Sequence, residues 1–198
     1  LDTVFRNLQY VMERAGMIKF LDRTFNFNQQ HAIAIFEFIL KHRKPWNTFQ
    51  FEIKVDECQA ELIAFIRNNV PKGIFRFELG IQTLNPKANA ATHRKQNFET
   101  IKDFISKVSD IVEIHLDLLA GLPFDTYAAI RHSFDEVFKI AAPELQLGIL
   151  KFLKGTPIRQ NAEIHHYKYQ LQPPYQIIES DYLTADEFGK IAVVKRAL

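Results

Sequence analysis

Hydrophobic residues recur along the chain in two alternating periods. Residues 1–15 carry apolar side chains three or four positions apart, the spacing of a helix, whereas residues 48–55 alternate in steps of two as a strand does. The same alternation continues to about residue 150. It predicts helices at 1–15, 29–42, 56–69, 97–108, 125–140 and 184–198, and strands at 17–21, 48–55, 74–81, 111–119 and 143–150.

Strands that alternate with helices at intervals of roughly thirty residues indicate parallel βα units. Right-handed crossovers then place every strand-to-helix loop at the same edge of the sheet. The pattern therefore predicts an α/β protein, either an open doubly wound sheet or an arc of a βα barrel. We expect a long loop at 85–96, a helix capped by Asp56, and an extended or irregular segment at 170–175.

Composition narrows the classes of function. The 198 residues suit one domain, and 25 basic and 23 acidic residues are well mixed, without the basic stripe of a nucleic-acid-binding protein. The eighteen Phe residues indicate bulky core packing. Cys58 is the only cysteine, so neither an intrachain disulfide nor a zinc site is expected. Apolar runs fall short of the ~18 residues that span a membrane, and we expect a cytoplasmic protein.

Two strands carry polar residues within apolar runs, Glu78 and Gln82 in one and Asp117 in the other. A buried polar group without a partner is unfavourable by a few kcal/mol, so such positions indicate ligand binding. Ligands of parallel α/β proteins bind at the carboxyl ends of the strands. Other polar residues expected at this edge are Asp22, Thr24, Asn26, Glu52, Lys54, Arg94, His115 and Lys151.

This set suits a zwitterionic ligand with hydroxyl groups, such as an amino acid joined to a nucleoside. Carboxylates and amides accept from ribose hydroxyls or an ammonium group, and Arg94 offers two-point contact with a carboxylate. Simpler interpretations remain open: Glu52 as a solvent-facing strand residue, Asp22 as a turn cap, and His115 as a core histidine. The motifs GxGxxG, GxxxxGK[ST] and GxSxG are absent, which disfavours dinucleotide dehydrogenases, P-loop enzymes and α/β-hydrolases.

Five segments together resemble the core of the radical S-adenosylmethionine (SAM) enzymes. The resemblance is strongest to the Fe–S oxidoreductases of that superfamily that are associated with a cobalamin-binding domain. The segments follow the order and spacing of the superfamily over nearly the whole chain, and they are Phe20–Asn26, Phe77–Pro86, Arg94–Gln96, His115–Pro123 and Gln146–Pro157.

The resemblance implies a partial (β/α)6 TIM-like barrel in which 1–157 supply strands two to six and 158–198 form a C-terminal extension with a closing helix. It implies a SAM site at the carboxyl-end edge, to which Glu78 also belongs. Arg94 would hold the SAM carboxylate, and Gln82 and Asp117 the ribose side. The amino group would be approached by Asp22, Thr24 and Glu52.

The implied reaction is reductive cleavage of SAM by a [4Fe-4S] cluster, which gives a 5′-deoxyadenosyl radical that abstracts hydrogen from a small-molecule substrate. An electron donor such as flavodoxin or ferredoxin is implied, as is cobalamin in the full-length protein. The family binds its cluster through a CxxxCxxC loop after the first strand, but this chain has only Cys58 and lacks that strand. We therefore expect a fragment that is inactive alone, with the cluster ligands elsewhere.

Two alternatives remain open. A degenerate member of the family would act as a cluster-free module that binds a nucleoside-like ligand or a protein. A cofactor-free enzyme would instead use Asp117 and His115 as acid and base.

Overall fold

The computed structural model describes all 198 residues and contains one sheet of five parallel strands in the order β1-β2-β3-β4-β5. A doubly wound sheet reverses its strand order at a switch point, whereas a barrel arc adds each strand beside the last. The uninterrupted order therefore identifies the barrel arc. The strands are β1 (Met17–Lys19), β2 (Thr48–Glu52), β3 (Phe75–Gln82), β4 (Glu113–Ala120) and β5 (Glu144–Ile149).

Helices separate the strands, and a small antiparallel hairpin follows the sheet. The helices are α1 (Asp2–Met12), α2 (Gln29–His42), α3 (Ala60–Asn69), α4 (Pro86–Ala91), α5 (Phe98–Val108), α6 (Tyr127–Phe138), α7 (Pro157–Gln160) and α8 (Ala185–Ala197). The hairpin pairs β6 (Lys168–Tyr169) with β7 (Ile177–Glu179). Single 3₁₀ turns occur at Phe25–Phe27, Val55–Glu57 and Ala162–His165.

Two predicted details are wrong. Asp56 does not cap a helix, because a 3₁₀ turn at Val55–Glu57 intervenes and α3 begins only at Ala60. The predicted loop at 85–96 contains helix α4. The Asn85 side chain accepts from the Lys87 N–H, and Pro86 occupies the first helical position, where its missing N–H is not needed.

Phenylalanine forms much of the core of the first of two compact units, residues 1–80 with 97–115. Phe49 and Phe51 of β2 and Phe75 and Phe77 of β3 are at most 1% exposed. Phe36 of α2 is fully buried, and its ring centroid lies 4.7 Å from that of Phe75 and 5.0 Å from that of Phe51. The many Phe residues thus serve the packing of helices on the sheet.

The second compact unit comprises residues 81–96 and 116–198. Its core includes Leu147, Phe152, Ile177 and Phe188, all at most 6% exposed. Gly121, which follows β4, has a φ of +100°, and a Cβ there would lie 2.1 Å from Ile177 Cδ1. Only glycine fits this turn, so the chain leaving β4 packs directly against the C-terminal hairpin.

Within the structure, α-helices are too short or too polar to cross a membrane.

Replacing Phe36 with Ala should lower the free energy of unfolding by about 4 kcal/mol, because the change opens a cavity among buried rings. Urea denaturation would measure the loss. Phe138→Ala is the matched control, since Phe138 is 60% exposed, and it should lower stability by less than about 1 kcal/mol. Equal losses for the two variants would contradict the described core.

Candidate functional site

One face of strands β1 to β3 in the first unit carries polar side chains. The register places Lys19 beside Gln50 and Glu52 beside Glu78, and neighbours in register project to the same face. Glu78 Oε2 accepts a hydrogen bond from Lys19 Nζ at 2.8 Å and one from Gln50 Nε2 at 2.6 Å. Glu52 and Glu78, two of the predicted site residues, therefore lie together on this face, beside a buried amide and a half-exposed ammonium group.

Glu78 is an anion at neutral pH. Burial acts to raise its pKa, but the hydrogen bond and charge of Lys19, with smaller effects of Gln50 and His115, lower the pKa below its ordinary value. Because the folded-state pKa is depressed, ionised Glu78 stabilises the fold above the ordinary Glu pKa. That contribution is lost as the pH falls through the lowered value.

The loop that leaves β1 contains the predicted residues Asp22 and Thr24. Asp22 is exposed, and Thr24 is half-buried with its hydroxyl donating to the Arg23 carbonyl at 2.9 Å. Asn26 is 1% exposed, and its Nδ2 donates to the Lys54 carbonyl while its Oδ1 accepts from the Lys54 N–H, both at 2.9 Å. Asn26 therefore ties the loop after β1 to the loop after β2.

Cys58 is a poor metal ligand in this environment. Burial, aided by the charges of Asp56 and Glu57, raises the pKa of its thiol to about 12 against the opposing hydrogen bond that Asn26 donates to its sulfur. Cluster ligands are thiolates, several to a cluster. The residues of this chain therefore do not fit a [4Fe-4S] cluster.

Gln82 has a strained backbone at the end of β3. Its φ of +66° lies in the left-handed region that residues other than glycine seldom adopt, and the Thr83 N–H donates to the Ile81 carbonyl across it at 2.9 Å. This tight γ-turn stores about 1–3 kcal/mol of strain, and such strain clusters at ligand sites. It is a second, independent reason to regard the half-buried Gln82 as a site residue.

Arg94 is oriented by its neighbours in the second unit. Its Nε donates to Gln96 Oε1 at 3.1 Å, and Gln96 Nε2 donates to the Thr83 carbonyl at 2.7 Å. The Arg94 backbone N–H donates to the Asn89 carbonyl at 2.8 Å. The guanidinium group is therefore held in a defined orientation, and guanidinium groups pair with carboxylates at two points. Asp117, in the middle of β4, is half-buried in the same unit.

A polar cluster, which the sequence did not reveal, follows Gln82. It consists of the buried Thr83, Asp125 and Ser133 and the half-buried Asn85. Ser133 Oγ accepts from the Leu84 N–H at 3.0 Å and lies 3.4 Å from Thr83 Oγ1. Asn85 Nδ2 donates to the Phe124 carbonyl at 2.8 Å and to Asp125 Oδ1 at 3.4 Å.

Asp125 is fully buried, and burial raises its pKa to about 6 against the lowering effect of hydrogen bonds from Thr83 and Asn85. Asp125 is therefore harder to ionise in the folded state than in the unfolded chain, but it is still mostly ionised at pH 7. Relative to low pH, stability falls as the pH rises from the ordinary Asp pKa through about 6. The pattern of residues 125–140 predicts a helix over Asp125, but the helix begins at Tyr127 with Thr126 as its cap, which leaves Asp125 beneath the turn.

The structure thus divides the seven predicted residues between its two compact units. The first unit contains Asp22 and Thr24 in one loop and Glu52 beside Glu78 in the sheet. The second contains Gln82, Arg94 and Asp117. His115, proposed above as an acid or base or as a core histidine, is 6% exposed in β4.

No protein-family model and no curated protein matches the chain, but solved structures do. The radical SAM methyltransferase TsrM from Kitasatospora setae, with cobalamin and a [4Fe-4S] cluster bound, gives a TM-score of 0.70 at 13% identity over 92% of this chain and 38% of that chain. Coproporphyrinogen III oxidase (HemN) from Escherichia coli, a radical SAM enzyme, gives a TM-score of 0.67 at 14% identity over 98% of this chain and 45% of HemN. A spore photoproduct lyase with bound AdoMet gives a TM-score of 0.57 at 16% identity over 98% of this chain and 61% of the lyase.

The fold is that of the radical SAM enzymes. This confirms the predicted α/β class and the partial TIM-like barrel. At these identities the likeness concerns the fold, and the chain spans roughly two fifths of the length of TsrM or HemN.

Replacing Asn26 with Ala should lower the free energy of unfolding by about 2 kcal/mol, because the Lys54 N–H and the Lys54 carbonyl both lose their hydrogen bonds to the Asn26 side chain. It should also slow alkylation of Cys58, because the pKa of the thiol rises further when its sulfur loses the hydrogen bond from the Asn26 amide. Chemical denaturation and thiol-labelling rates would measure the two effects. Asn69→Ala, at an exposed amide, is the control and should change stability by less than about 0.5 kcal/mol. An Asn26 variant that behaves like the control would contradict the role of Asn26 in joining the loops.

Proposed function

We propose that this chain is the SAM-binding part of a radical SAM enzyme. Residues 1–157 would be strands two to six of the barrel, and 158–198 its C-terminal extension. One observation carries the proposal: within a radical SAM fold, the strained turn at Gln82 is followed by a guanidinium group, that of Arg94, braced by Gln96. A strained, preoriented arrangement after a parallel strand is typical of a ligand site.

The roles follow from the chemistry of SAM, which combines an amino-acid end with a ribose. Arg94 would pair with the carboxylate in two-point contact, and Gln82 and Asp117 would bind the ribose hydroxyls. Asp22, Thr24 and Glu52 would approach the amino group. Glu78 remains in the proposed set, and its Oε2 already accepts from Lys19 and Gln50.

We further propose that the complete protein cleaves SAM reductively to a 5′-deoxyadenosyl radical with a [4Fe-4S] cluster, whose ligands lie outside these residues. The single cysteine and its raised pKa support this placement of the ligands. A small-molecule substrate, an electron donor such as flavodoxin or ferredoxin, and a cobalamin-binding domain would complete a cytoplasmic oxidoreductase. The chain alone would bind SAM without cleaving it.

Titration calorimetry with SAM tests the binding proposal on the 198-residue chain. The chain should bind SAM, and Arg94→Lys should weaken binding by about tenfold or more, because an ammonium group cannot pair with a carboxylate at two points. Arg131→Lys is the control, since Arg131 is exposed and pairs with Asp135, and it should bind as the unaltered chain does. A chain that binds no SAM, or equal affinities for the two variants, would contradict the proposed site.

The catalytic proposal requires the protein encoded by the complete reading frame. Expressed without oxygen and reconstituted with iron and sulfide, it should show cluster absorbance and release 5′-deoxyadenosine from SAM under reducing conditions. The 198-residue chain treated identically should release none. A complete protein with neither cluster absorbance nor SAM cleavage would favour the alternative of a cluster-free binding module.

A further inference from the structure

Two loops of the second unit are joined by side-chain hydrogen bonds. One loop follows β3, comprises residues 83–96 and contains the short helix α4, and the other follows β4 and comprises residues 121–126. Asn85 of the first loop donates to the Phe124 carbonyl and to Asp125 Oδ1 of the second, and the Thr83 hydroxyl donates to the Asp125 carboxyl group. The Asp125 carboxyl group of the second loop therefore accepts hydrogen bonds from side chains of the first loop.

The same loop carries a hydrogen-bonded path from Thr83 to Arg94. The Thr83 carbonyl accepts from Gln96 Nε2 at 2.7 Å and from Asn89 Nδ2 at 3.2 Å. Gln96 Oε1 in turn accepts from Arg94 Nε, and the Asn89 carbonyl accepts from the Arg94 N–H. Gln96 thus links the Arg94 guanidinium group to the Thr83 carbonyl, and Asn89 links the Arg94 backbone to the same carbonyl.

Asp125 is an unfavourable residue for fold stability alone. It is 0% exposed, and its Oδ2 is buried without a hydrogen-bond partner. A buried carboxyl group pays a desolvation penalty that an amide of the same shape would avoid. Residues that break the rules of stable packing in this way are expected at functional positions.

We propose that Asp125 is a positioning residue for the SAM site: through Thr83 and Asn85 it clamps the loop after β3 and thereby fixes Arg94 for the SAM carboxylate. This inference rests on the proposed function. The ionised carboxylate makes the stronger, charge-assisted hydrogen bonds, so the clamp is tight when Asp125 is ionised and weaker when it is protonated.

The side chains in the hydrogen-bonded cluster around Asp125 are uncharged. Thr83 and Asn85 from the loop after β3, and Ser133 from α6, are neutral at every pH of interest. Tyr167, from the segment before β6, senses the charge of Asp125, but burial raises the pKa of Tyr167 far above neutrality. Two histidines lie close to the elements involved: His165, whose ring centroid is 5.4 Å from that of Phe124, and His93, which is exposed and next to Arg94 in sequence.

The experiment measures SAM affinity and backbone amide exchange between pH 5 and pH 7.5 for the unaltered chain and Asp125→Asn. Affinity of the unaltered chain should rise about fivefold or more with a midpoint near pH 6, where the pKa of Asp125 lies. The variant should keep the weaker affinity at every pH and exchange faster in residues 84–96. His93→Gln should retain the pH step, and Asp181→Asn, at an exposed carboxylate, should match the unaltered chain.

The outcomes separate the two proposals. SAM binding by Asp125→Asn with unaltered affinity and pH profile would overturn the clamp and leave the proposed function standing. If the unaltered chain binds no SAM, the proposed function fails, and amide exchange in residues 84–96 alone tests the clamp. Equal exchange rates in Asp125→Asn and in the unaltered chain would then overturn the clamp. If Asp125→Asn does not fold, amide exchange of the unaltered chain decides. The clamp is overturned if the exchange rate in residues 84–96 shows no step near the pH at which the Asp125 carboxyl group is measured to titrate.

Discussion

The alternation of apolar and polar side chains along β2 and β3 is the constraint on which the structure depends. Phe49 and Phe51 in one strand, with Phe75 and Phe77 in the next, bury one face of the sheet against rings such as that of Phe36. Because side chains in a strand alternate between faces, the same packing sends Gln50, Glu52 and Glu78 to the opposite face. A slip of one residue in register would bury the carboxylates and expose the rings, so the aromatic core fixes the position of the polar face.

On that polar face the Glu78 carboxylate is satisfied by neighbouring side chains. Glu78 is held between Lys19 and Gln50, and its lowered pKa reflects this pairing. The second unit is built differently, because it combines a strained turn at Gln82 with a fully buried Asp125 whose pKa is raised. Proteins retain backbone strain and buried carboxyl groups where geometry matters more than stability. The second unit, which contains both features, is therefore the stronger candidate for ligand binding through Arg94.

Much of the fold could be predicted because it rests on periodicity. The period of two in 48–55 and the helical spacing in 29–42 both have local causes, and both elements formed. Local patterns did not choose between a doubly wound sheet and a barrel arc, because that choice depends on which strands pair. The linking role of Asn26 and the burial of Asp125 escaped prediction for a similar reason: an amide 28 residues from its partner, and a carboxyl group buried beneath a turn, leave no periodic signal.

The central claim, that the second unit presents a SAM site at residues 82–96 and Asp117, is tested most directly by nuclear magnetic resonance of the isotope-labelled chain titrated with SAM. The account predicts saturable shifts of the backbone amides of Gln82, Arg94 and Asp117, and of the Arg94 side-chain Nε–H. It also predicts little change in α3 and at the exposed end of α8. Shifts confined to other surfaces, or a spectrum that SAM leaves unchanged, would contradict it.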